Sequence, residues 1–235
     1  MTAVVETLPL FPLGTVLLPG ASLPLHVFEP RYRQMTIDLV TGAVPGKQFG
    51  VVAVREGWNP DAGREGLHDV GCTAVLREVR RLPDGRFDIL TQGDRRFRLL
   101  DVDDTTAPYL VANVEWLPDL EGDEPSDLAP LELAARAAHR RYCHTAWKQR
   151  SDGEVDEAEP EDETPAEVDA ATLPHVLAAD CLIPLDDRQE LLEQTCPKAR
   201  LQLVRQYMVR EAGLLGQLHA VWAPAAKFAV ERSEN

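Results

Sequence analysis

The run from Gly71 to Val102 constrains the fold most. Cys72–Leu82 (CTAVLREVRRL) is followed by Pro83-Asp84-Gly85 and then by Arg86–Gln92 (RFDILTQ). Two strand-like runs joined by an Asp-Gly corner predict a hairpin, because glycine accepts the positive φ that a tight turn imposes. Gly93-Asp94 is expected to make a second turn, into RRFRLLDV, with Phe97 and Leu99 on one face. Phe49–Val54 (FGVVAV) is a short apolar run, and Tyr109–Trp116 (YLVANVEW) alternates as a half-buried strand does. Short strands with regular turns point to a closed or nearly closed β architecture. One helix is expected among them. Pro30 suits its first turn, RYRQMTIDLV follows, and Gly42 is placed to end it.

The apolar stretch Leu8–Leu25 is interrupted by Pro9, Pro12, Pro19 and Pro24, which excludes a membrane-spanning helix. With Gly14 and Gly20, these prolines predict a crossing, curled strand pair that closes the barrel and forms a rigid frame. The beginning, MTAVVETLPL, lacks the basic and small-residue pattern of a targeting segment, so a cytoplasmic location is expected. Cys72, Cys143, Cys181 and Cys196 are scattered without a CxxC pair and read as reduced thiols.

The second half reads as helices. Leu128–Trp147 places Leu131, Ala134, Ala135, Ala138 and Tyr142 at helical spacing. Leu173–Leu182 predicts a short helix. Asp186 to Gln189 has the form of a capping box opening the next one. Thr195 is a candidate cap for a last helix, with Pro197 in its first turn and Leu201, Val204, Met208 and Leu215 on one stripe. The expected division is a β domain over 1–118 with one inserted helix, a joint over 119–127, a helical domain over 128–222 and a tail over 223–235.

A net charge of −15 disfavours a generalist nucleic-acid binder. Its location weakens that exclusion. Residues 151–171 hold ten carboxylates and no Lys or Arg, hence −10 of the −15. With two prolines and no aromatic residue, this segment is expected to interrupt the helical domain as disordered, solvated chain.

The N-terminal run LPLFPLGTVLLPGASLPLHVFEPRYRQM resembles the start of the Lon protease N-terminal, or substrate-binding, domain. VGCTAVLREVRRLPDGRFDILTQGDRRFRLLDV is similar to that family's Val-Gly entry, Pro-Asp-Gly hairpin and Gly-x-x-Arg-Phe segment, in the same order. LAADCLIPLDDRQELLEQTCPKARLQLVRQYM resembles its helical part. The resemblance implies an α+β fold, a PUA-like β pseudo-barrel followed by an α-helical bundle. It also implies a role in protein quality control, recognising exposed apolar or extended polypeptide segments with a protease or chaperone as a further partner. The sequence carries no GxxxxGK[ST] phosphate loop. Its four serines and four lysines offer no convincing Ser-Lys pair. The expectation is therefore a stand-alone bacterial form without ATPase or peptidase modules, not an enzyme, with no cofactor.

Leu10, Phe11, Val16, Leu18, Phe28 and Tyr32 are the candidate polypeptide-binding residues, because the resemblance is densest there. In HVFEPRY, Glu29 is placed at the helix N-terminus, where the dipole favours a carboxylate and Arg31 or Arg33 can pair with it; His26 reads as a structural neighbour. The alternative is RNA binding by the Arg-rich stretch 77–98, through Arg95, Arg96 and Arg98. Intervening carboxylates and a shortage of stacking aromatics weigh against that. His139 and Cys143 are four apart on a helix, but no further ligands accompany them, so no metal is expected.

Overall fold

The computed structural model describes residues 5–58, 60–122, 125–150, 168–179 and 181–218. The chain divides into two compact units, before and after the Pro118–Asp119 bond.

The first unit contains β1 (Val5–Leu13), β2 (Ser22–Val27), β3 (Gln48–Ala53), β4 (Val70–Arg81), β5 (Phe87–Asp103) and β6 (Val111–Trp116). Helix α1 (Pro30–Thr41) lies between β2 and β3 in sequence. The sheet runs β2-β5-β4-β3-β1-β6, and a further β5–β6 pairing closes five of the strands into a ring. Among the described strands, β1 and β3 are the one parallel pair and the others pair antiparallel. Helix α1 begins at Pro30 and ends at Gly42, whose φ of 83° suits glycine. Glu29 precedes it, and its carboxylate accepts from Arg31 Nε at 2.9 Å rather than capping the helix. The hairpin forms at Pro83-Asp84-Gly85 as expected. Gly85 has φ 84°, its N–H donates to the Leu82 carbonyl at 2.9 Å, and Leu82 N–H donates to the Arg86 carbonyl at 2.8 Å.

The ring closes over Leu8, Leu10, Val52, Leu67, Phe97, Leu99, Ala112 and Val114. Phe97 is fully buried. Gly71 leaves room for its ring, since a Cβ there would come within 2.5 Å of Phe97 Cζ. Tyr109 donates from its hydroxyl to Asp38 Oδ2 at 2.9 Å, tying the segment before β6 to α1. Burial and that carboxylate push the phenol up to about 12.

Two expectations need correction. Gly93-Asp94 is not a turn; β5 passes straight through it. Glycine is required there because the Leu18 backbone crosses over it, and a Cβ would sit 2.1 Å from the Leu18 carbonyl oxygen. The strand accommodates the crossing with an extra residue, Cys72 facing Arg96 while Ala74 faces Gly93. Nor do β1 and β2 form a pair. The edges of β1 are taken by β3 and β6, and β2 pairs with β5.

The second unit contains α2 (Pro125–Arg150), α3 (Leu173–Ala179), α4 (Leu185–Glu193) and α5 (Pro197–Leu218). Helices α2 and α5 pack together. Buried Ala135, Ala138, Tyr142 and Ala146 belong to α2, and buried Leu201, Val204, Met208 and Leu215 to α5. The expected capping box does not form. Helix α4 starts at Leu185 with Pro184 before it, so Asp186 already lies in the first turn, and Gln189 Nε2 donates to Glu193 Oε1 at 2.7 Å. Thr195 is not the residue before α5; Cys196 is, and the Thr195 carbonyl accepts from Leu120 N–H at 2.9 Å. Arg200 is buried, donating to His175 Nε2 at 2.8 Å, to the Ala171 carbonyl at 3.1 Å and to the Asp119 carboxylate. A guanidinium can only donate, so His175 accepts through Nε2 as a neutral ring. Residues 168–171, expected at the end of the disordered segment, instead lead into α3, with Asp169 Oδ1 accepting from the Ala171 and Thr172 amides at 2.9 Å each. The rest of that segment, 151–167, and the tail 223–235 lie outside the described residues.

Candidate functional site

Strand β5 holds together two different surroundings. Its second half belongs to the ring, pairing with β4 as far as Arg98 and with β6 from Phe97 to Asp103. Its first half lies between β2 and the distal part of β4, as a three-stranded extension. One row of side chains crosses this extension. His26, Asp88 and Arg80 are direct cross-strand neighbours on β2, β5 and β4. Asp88 meets His26 Nδ1 at 2.7 Å through Oδ1 and Arg80 Nη2 at 2.5 Å through Oδ2. Those two partners, Arg80 first, hold the Asp88 carboxyl below the usual carboxylate range.

Beside this row stands Phe28, between β2 and α1 in sequence. Its ring is 55% exposed, with the His26 ring stacked 6.3 Å away. Both its neighbours in sequence are held: Val27 is buried, and Glu29 is paired with Arg31. An apolar ring on so fixed a backbone is available to a partner at little cost in ordering entropy.

The other five candidate polypeptide-binding residues are buried. Leu10 and Leu18 are fully covered, and Phe11, Val16 and Tyr32 are nearly so. Phe11 and Tyr32 stack on each other at 3.9 Å between centroids. Burial raises the Tyr32 hydroxyl to about 12, outweighing the Arg31 charge. The protein's own side chains already cover these surfaces. Of the RNA candidates, Arg96 is buried at 6% exposure, Arg98 is exposed, and Arg95 lies over the Trp116 ring at 3.7 Å. That Arg95–Trp116 stack joins residues far apart in sequence, and no local pattern announces it.

The buried Cys72 thiol is pushed up to about 12 by desolvation. Cys143 Sγ lies 3.5 Å from His139 Nε2, the i,i+4 pair anticipated on α2. Among the described residues no group of three or more His, Cys, Asp or Glu is arranged to hold a metal ion, and no helix is long and apolar enough to cross a membrane.

A mixed, nearly closed barrel followed by helices is also the architecture of solved Lon N-terminal domains. The Lon N-terminal domain protein of Xanthomonas campestris superposes with a TM-score of 0.57 at 24% identity, covering 86% of this chain and 99% of that one. The N-terminal domain of the Mycobacterium avium complex Lon protease gives 0.58 at 16% identity over 86% and 98%. Residues 7–210 match the family described as the ATP-dependent protease La (LON) substrate-binding domain, and the chain belongs to that family. Lon protease 2 of Myxococcus xanthus is 29% identical over 218 residues, which is 89% of this chain and 24% of that protein. Lon protease 4 of Sorangium cellulosum is 34% identical over 131 residues, 55% of this chain and 16% of that protein. The chain thus spans about a quarter of the first of these relatives' lengths.

Proposed function

We propose that this protein is a non-catalytic polypeptide-binding module, acting in the cytoplasm, that captures exposed apolar or extended segments of other proteins. Membership of a substrate-binding domain family supports polypeptide as the ligand class. The observation that carries the reading is Phe28, a large apolar ring 55% exposed on a rigid backbone between two ordered elements. An apolar segment docking there removes the ring from water, an effect on the order of 25 cal/mol per Å² buried. Leu10, Phe11, Val16, Leu18 and Tyr32 act as the packing that fixes the frame, and a protease or chaperone is the expected downstream partner.

The test is titration with a reduced, carboxymethylated and therefore permanently unfolded polypeptide, followed by fluorescence anisotropy. Saturable binding that Phe28→Ser weakens about tenfold, while the thermal midpoint stays put, is the expected result. Absence of association at tens of micromolar, or equal binding by the variant, would contradict it.

A further inference from the structure

The three-stranded extension has two outer edges, and they are chemically different. The ladder between β4 and β5 starts at Leu82 N–H, which donates to the Arg86 carbonyl. Antiparallel pairs alternate between those that exchange hydrogen bonds and those that do not. Arg80–Asp88 and Glu78–Leu90 are therefore the exchanging pairs, and the backbone groups of Val79 and Arg81 point away from β5. Strand β3 does not reach them, because its ladder with β4 ends at Val75. Neither residue makes a backbone hydrogen bond elsewhere among the described residues. Two donors and two acceptors are thus presented side by side.

On the opposite edge, Gly93 N–H donates to the Ala21 carbonyl at 2.8 Å. The same alternation makes Leu23–Thr91, Leu25–Ile89 and Val27–Phe87 the exchanging pairs. The two ladders agree, since successive residues of β5 face β4 and β2 in turn. Ser22, Pro24 and His26 then point outward on β2. Pro24 has no N–H, so an added strand would lose a donor in the middle of the run, a common way of blunting an edge.

The β4 edge carries charge instead of proline. Residues 77–81 are all exposed and read Arg-Glu-Val-Arg-Arg. Arg80 is engaged with Asp88 and Arg77 with Gln92, whereas Arg81 has no ion pair among the described residues. Arginines on an edge repel basic strands, disfavour apolar ones that would desolvate them unpaired, and favour a strand bearing carboxylates.

The geometry points to the distal edge of β4, residues 77–81, as a docking site for an extended, carboxylate-bearing polypeptide segment that adds as a fourth strand. Main-chain hydrogen bonds to Val79 and Arg81 supply the attachment, and the arginines select for acidic side chains. This site is separate from Phe28 and does not depend on that contact.

A fluorescein-labelled synthetic peptide alternating threonine and glutamate is the probe, with a threonine–lysine peptide as control. The expected results are saturable, salt-sensitive binding of the glutamate peptide only and slowed amide exchange at Val79 and Arg81. Val79→Pro should weaken binding at least about tenfold, because it removes an outward donor without touching the β5 ladder. Arg81→Glu leaves the backbone intact and should weaken it similarly, so the test survives if the proline variant fails to fold. Phe28→Ser should bind this peptide normally, which separates failure here from failure of the apolar contact. No saturable binding, equal binding of the lysine peptide, unchanged affinity in Arg81→Glu, or protection appearing along β2 would overturn the assignment. Protection of Val79 and Arg81 that grows with protein concentration alone would also overturn it, by showing a second copy on the edge.

Discussion

The two halves of β5 belong to the same strand and live under different rules. From Phe97 to Asp103 it pairs with β6, with β4 on its other side as far as Arg98; this junction closes the ring, and Phe97 is fully buried there. From Phe87 to Gln92 its neighbours are β2 and distal β4, each of which ends in an open edge. Closure removes edges and concentrates stability in packing. The extension keeps edges and an exposed Phe28 ring, features a ligand can use. Substitutions in the ring are therefore expected to move stability, and substitutions in the extension to move binding.

The largest effect should come from Phe97→Ala, which empties the centre of the ring. A loss of about 4 kcal/mol in urea unfolding is expected, as for other buried aromatic truncations. Gly93→Ala should follow at about 3 kcal/mol, because its methyl group meets the Leu18 backbone, which has no flexible end to move aside. A loss under about 0.5 kcal/mol at Gly93 would show that the crossing is loose. Gly85→Ala, at the tip of the extension, should cost only about 1 kcal/mol, since the penalty is the left-handed backbone and the nearest atom is the flexible Arg33 guanidinium.

The smallest effect should be electrostatic. Asp88 has a folded pKa below its unfolded value. Its interactions stabilise the fold above the ordinary carboxylate pKa, and that contribution is lost as pH falls through the lower folded pKa. Arg80 is 76% exposed, so solvent screening limits the effect to a few tenths of a kcal/mol. Stability measured against pH in the wild type and Asp88→Asn should differ by this amount above about pH 4 and converge below it.

Much of this division is legible in the residues, and the misreadings have physical causes. Pro83-Asp84-Gly85 announces the hairpin because turn chemistry is local. Pro30 and Gly42 bracket α1 for the same reason. Gly93-Asp94 looks like another turn, but that glycine answers to Leu18, a residue distant in sequence whose approach no local pattern encodes. The candidate site is less legible. Leu10, Phe11, Val16, Leu18, Phe28 and Tyr32 are all apolar or aromatic, and only the folded chain distinguishes the open Phe28 from the five that are covered. The outward direction of Val79 and Arg81 follows from one hydrogen bond at Leu82 and the register after it, which are tertiary facts.

Amide hydrogen exchange of the intact chain, with and without the unfolded polypeptide and the threonine–glutamate peptide, tests the central claim most directly. Bound polypeptide is expected to slow exchange around Phe28 and the peptide to slow it at Val79 and Arg81, with ring amides near Phe97 unchanged by either. Protection confined to the ring strands, with both extension surfaces unaffected, would contradict it.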